Sequence, residues 1–265
     1  MNGALALLIA LVSYGNVYLK TGNLSHPLDF NNTTLIYNAN ITFSDTTKLG
    51  SKSTVATDPQ QWFNFLKKSG CMKFRLVYDH SKELQMKDYE SAGFVGGGGV
   101  WQIEAVYIDH SDYWESAEVV VNENAADKRI WSTKLKIAAK NQGGSSLLIP
   151  KQTAKEQLAV ALKNIIRFAS EHKSDEWVKV FKTSNKQLTD THPTIAYYKD
   201  IVVKKQYSLE SIQLLSAATT AYVFGGMGSW NDILYPTDKE NKTNAELTAD
   251  LYDKVNNAII AAINE

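Results

Sequence analysis

The sequence predicts an α+β protein in which an antiparallel β-meander in the first half is covered by a helix-rich second half, packed around one buried helix of small residues. Three observations carry that expectation. Between residues 71 and 138, apolar and polar side chains alternate in short runs separated by turn sequences, as half-exposed strands do. Beyond residue 150, apolar residues recur at helical spacing. Residues 208–224, SLESIQLLSAATTAYVF, are apolar or small on every face, the mark of a helix enclosed on all sides.

The elements follow in order. Residues 4–12, ALALLIALV, form an uninterrupted apolar run with Asn2 placed to cap it and Gly15 or Gly22 near its end. No basic residue precedes the run and no small-x-small cleavage site follows, so a core helix is expected rather than a signal sequence. Residues 28–43 alternate Asn and Thr with Leu35, Ile36, Tyr37, Ile41 and Phe43, as one or two short strands with turns would, and 48–57 is polar and expected as loop. Asp58, Pro59 and Gln61 combine cap, first-turn proline and capping-box partner ahead of Trp62, Phe63, Phe65 and Leu66, and Gly70 ends that helix. Strands are expected at 71–78, 100–108, 113–121 and 130–138, with 79–92 as charged connecting structure. The joints DHSD and NENAADK are short enough for hairpins.

The segment NQGGSSLLIP (141–150) separates the strand-rich residues 1–140 from the helix-rich residues 150–265 and is a candidate boundary. One domain over 1–265 is expected, because a meander with one apolar face needs the cover that the later helices supply. Those helices open at a Thr153/Glu156 capping box, at Ser174, at Ser208 and near Asn244.

Composition narrows the function classes. In 265 residues, 28 Lys plus Arg balance 28 Asp plus Glu, which removes a general pull toward nucleic acid or anionic membrane. The single Cys71 forms no intramolecular disulfide and suits a reducing compartment, so a cytoplasmic location is expected. Asn-x-Ser/Thr triplets at Asn23, Asn31, Asn32, Asn40 and Asn241 are what a secreted alternative rests on.

Two glycine stretches are the candidate ligand-binding elements. In AGFVGGGGVWQIEAVY, bare glycines including Gly97 and Gly98 stand ahead of Trp101 and Glu104. A strand pattern follows where a phosphate cradle needs a helix, so a bent strand start or a backbone-packing point is expected. In FGGMGSWND, the glycines end a helix and lead to Trp230, Asn231 and Asp232, polar groups beside an aromatic that are candidates for lining a cleft. Glu104, set among alternating apolar residues, is expected on an exposed sheet face. His80, Glu104, Asp109, His110 and Asp112 are the candidate metal or acid/base cluster, but Asp109-His110-Ser111-Asp112 has no recognised ligand spacing and reads first as turn chemistry, so neither metal nor cofactor is expected. Trp114 and Trp131, on neighbouring strands, are candidates for an exposed platform, with core packing the commoner fate.

The segments GFVGGGGVWQIEAVY, AYVFGGMGSWND and LYDKVNNAIIAAIN resemble an uncharacterised group of bacterial cytosolic proteins of similar length. The resemblance implies no activity, cofactor or residue role. The function expected from the residues is a non-catalytic protein whose partner is another protein, of which an immunity-type partner of a toxin or enzyme is one form. The alternative is an enzyme or small-ligand binder with its pocket between residues 96–99 and 228–232.

Overall fold

A computed structural model of the chain describes residues 1–45, 53–81, 86–145 and 148–265. It has an α+β fold: a mixed six-stranded sheet and seven α-helices among those residues. The first helix, α1 (Gly3–Thr21), is capped by the Asn2 side chain, which accepts from the Leu5 N–H, and closes on Gly22 in the left-handed conformation. Of the one or two short strands with turns expected over 28–43, the structure has turns at 28–37 and one strand, β1 (Asn38–Asp45). A short strand, β2 (Ser53–Ala56), lies in the stretch expected as loop. Residues 48–52 of that expected loop lie outside the described residues, as do 82–85 of the charged connection and 146–147 of the candidate boundary.

Helix α2 (Pro59–Lys68) starts as its cap residues predict, with Asp58 accepting from the Gln61 N–H. The meander follows: β3 (Lys73–Asp79), the one-turn α3 (Asp88–Ser91), β4 (Val100–Val106), β5 (Ser111–Val120) and β6 (Trp131–Gln142). Its neighbours pair antiparallel in sequence order. Beyond the expected meander, β1 pairs parallel with β6, and β2 extends the edge antiparallel to β1.

Helices α4 (Lys151–Glu171), α5 (Asp175–Gln187), α6 (Leu209–Thr220) and α7 (Asp238–Ile263) complete the chain. Helix α4 begins before the expected Thr153 box, with Pro150 at its N-cap. Helix α7 begins ahead of Asn244, at a capping box made by Thr237 and Glu240. Helix α6 is buried on all sides as its composition predicts, packed by α4, α5 and α7.

The helix laid on the sheet is α1, not α6: α1 packs on β3, β4 and β5, and its residues from Leu5 to Val12 are sealed from solvent. Gly15 permits the approach, since a Cβ there would fall 2.6 Å from the Phe74 ring. Beneath it, Trp62 stacks on Phe43 (4.6 Å) and Phe74 (5.1 Å) and meets Trp114 edge-on (5.3 Å), so Trp114 is core. The two halves of the chain share this core: Asn264, just past α7, donates to the Leu76 carbonyl and accepts from the Leu76 N–H of β3.

Candidate functional site

Strand register decides which side chains reach the helices. Ile103 pairs with Trp114, and Trp114 with Ile137, so the row Trp114, Ser116, Glu118 of β5 shares the helix-facing side with Trp101 and Ile103 of β4 and with Thr133 and Leu135 of β6. Glu118 is therefore a carboxylate on the apolar face, near the end of β5 where the first turn of α1 crosses. Here two adjoining cavities, about 320 and 250 Å³, share Asn2, Ala4 and Glu118 as common wall. They form one two-lobed cleft.

The glycine loop builds one side of it. Asn2 Nδ2 donates to the Ala92 carbonyl (2.9 Å), tying the start of α1 to the loop. The loop folds on itself through Phe94 N–H to Ser91 O (2.9 Å) and Gly98 N–H to Ser91 Oγ (3.0 Å). From α7, the Tyr252 hydroxyl donates to the Gly98 carbonyl (2.6 Å). A Cβ on Gly97 would lie 2.1 Å from the Ser91 carbonyl oxygen, and one on Gly99 would lie 2.4 Å from the Tyr78 ring, so these glycines serve close packing. The folding of the loop leaves Phe94 and Val95 at the rim, 58% and 57% exposed. Opposite them, Tyr37, Trp131 and Tyr198 line the larger lobe, while Val100 and Trp101 line the smaller.

Among the described residues, two buried polar atoms in these walls have no hydrogen-bond partner: the donor Trp101 Nε1 and the acceptor Glu118 Oε1. Burial raises the Glu118 carboxyl above the ordinary carboxylate range, and the Ser116 hydroxyl offsets this only in part. The threonine hydroxyls of the larger lobe are engaged, that of Thr33 with Asp200 and that of Thr133 with Asn38 Oδ1 (2.6 Å). Neither histidine nor cysteine is among the described wall residues. The groups on offer are the carboxylates of Glu115 and Glu118, an indole N–H, side-chain amides and hydroxyls, and aromatic rings.

Of the residues singled out in the sequence, Gly97 and Trp101 line the cleft. Gly98 supports it from behind through its bonds to Ser91 and Tyr252. Asn231 ties the second glycine stretch to α3, accepting from the Gly225 N–H (3.1 Å) and donating to the Tyr89 carbonyl (3.4 Å), but it lines neither lobe. Trp230 is core, donating to Thr248 Oγ1 (2.9 Å) and meeting Phe181 edge-on. Asp232 closes its own turn by accepting from the Gly228 N–H (2.6 Å) and the Ser229 N–H (3.2 Å).

Glu104 departs from expectation. It stands on the outer face, yet it is 0% exposed, because the segment after β6 folds over it. Its Oε1 accepts from Ser111 Oγ (2.8 Å) and the Ser145 N–H (2.9 Å), and its Oε2 faces Arg75 at 3.7 Å. His80 and His110 do not meet: His80 follows the end of β3 that pairs with Val100, while His110 stacks on Tyr107 at the β4–β5 turn, the opposite end of the pair. His80 lies 3.1 Å from Asp88 instead. No metal-ligating cluster occurs among the described residues. Burial pushes the Cys71 thiol up to about 12, which leaves it unreactive.

Sequence reasoning missed Glu118, although parity marks it: Trp114 and Glu118 are four residues apart on one strand and so share a face. No family model, curated protein or solved structure matches the chain, so the resemblance drawn from its glycine-rich segments lends the cleft no residue role.

Proposed function

We propose that the protein is a non-catalytic binding protein and that the two-lobed cleft receives a segment of another protein. The observation that carries this is the pair of unpartnered polar atoms of opposite kind, Trp101 Nε1 and Glu118 Oε1, in a cleft whose larger lobe is lined by Tyr37, Phe94, Trp131 and Tyr198. Unsatisfied buried groups cost stability, and a partner that supplies both complements recovers that cost on binding. The mouth supports a macromolecular partner, since Tyr37 (51% exposed), Phe94, Val95 and Val100 offer apolar surface around the opening rather than within it.

A photo-crosslinking residue placed at Phe94, with one at Ile108 on the remote β4–β5 turn as control, tests the proposal in producing cells. A discrete protein adduct at position 94 alone, lost when Val95→Asp is added, is expected. Absence of that adduct, together with a rise in melting temperature caused by small metabolites, would make the cleft a small-molecule site instead.

A further inference from the structure

The charge of the cleft identifies its anchor. Among the described wall residues of both lobes, the charged side chains are the carboxylates of Glu115 and Glu118, with no lysine or arginine. Glu115 is paired with Lys136 at 2.9 Å, whereas no lysine or arginine among the described residues forms an ion pair with Glu118, whose Oε1 has no hydrogen-bond partner there. A carboxylate held out of water is unfavourable in its charged form, and a cation carried into the cleft lowers that penalty. The rings of the larger lobe, Tyr37, Phe94, Trp131 and Tyr198, suit the same guest, because ring faces attract ammonium and guanidinium groups. The Trp101 indole N–H adds a second requirement, an acceptor, which a bare amine lacks and a peptide carbonyl supplies.

Building on the cleft as a protein-binding surface, we infer that it recognises a lysine or arginine side chain of the partner polypeptide, the cation meeting Glu118 and a neighbouring backbone carbonyl meeting Trp101. No other single residue type of a protein brings both a permanent cation and an adjacent acceptor.

The test uses the full chain labelled with ¹⁵N, reading the Trp101 indole N–H resonance, assigned by its loss in Trp101→Phe. The probes are acetyl-Gly-Lys-Gly-amide, acetyl-Gly-Arg-Gly-amide, the norleucine equivalent and n-butylamine. The lysine and arginine peptides are expected to shift the resonance, with the norleucine peptide binding about tenfold or more weakly, the scale of one charge-assisted bond. Glu118→Gln, nearly isosteric, is expected to remove that preference while the spectrum stays folded. Equal binding of the norleucine and lysine peptides overturns the cationic anchor and leaves protein binding standing. Butylamine binding as tightly as the peptides overturns the polypeptide source. Silence from every probe overturns the anchor, and the crosslink at Phe94 then decides separately whether the cleft binds protein.

Discussion

Gly93 and Gly225 meet backbone to backbone. A Cβ on Gly225 would lie 2.0 Å from the Gly93 nitrogen, and one on Gly93 would lie 2.3 Å from the Gly225 carbonyl carbon. The loop that closes α6 is thus seated on the loop that forms one wall of the cleft, and the two glycine stretches of the sequence are a single junction in space.

Gly225→Ala is expected to destabilise by about 2–5 kcal/mol, combining a left-handed backbone with a steric clash. Gly226→Ala has the same backbone requirement (φ 94°) but open space around it, so only about 1–2 kcal/mol is expected there. Urea unfolding of both variants measures the difference. Equal losses would mean that the Gly93 contact relaxes at little cost.

Glu104→Ala is expected to cost about 2–4 kcal/mol, because it removes the buried acceptor of the Ser111 hydroxyl and the Ser145 N–H and the partner of the partly exposed Arg75. Glu104→Gln keeps an acceptor for the two hydrogen bonds and loses only the ion pair, so a smaller cost of about 1–2 kcal/mol is expected. Denaturant midpoints rank the two, and an alanine variant no worse than the glutamine one would show that the cover opens to water.

Glu118 sets a pH dependence. Its carboxyl is raised in the fold, chiefly by burial, so its contribution to stability is fully present below the ordinary value of 4.5 and is lost as pH rises through the folded value. Glu118→Gln is therefore expected to be more stable than wild type near neutral pH, with the advantage shrinking on acidification. Paired unfolding curves across that range check the sign, and an advantage that grows on acidification would contradict it. A bound cationic peptide should pull the same carboxyl back down, so peptide affinity should fall as the solution is acidified.

Much of the fold was legible because its signals are local. Asn2, Asp58 and Ser208 cap the helices they were expected to cap, and the alternation through 71–138 reports the meander. The β1–β6 pairing was not legible: Ile41 and Thr133 are partners, and nothing near either residue in the sequence points to the other. The site was half legible. Gly97 and Trp101 stood out by composition, but Glu118 became visible only when counted on the same face as Trp114. The burial of Glu104 depends on Gly144 and Ser145 folding back over it, which no pattern around Glu104 encodes.

The order of the elements has a kinetic consequence. Helix α1 precedes every strand and helix that buries it, and β1 waits about ninety residues for β6, so the central contacts close loops of long sequence separation. A nascent chain therefore carries an exposed apolar helix until β3 to β5 have emerged, and one unpaired edge of β1 until β6 has. Such a chain folds slowly and late rather than segment by segment. Its yield in a cell should depend on holdase chaperones far more than the stability of the finished fold would suggest.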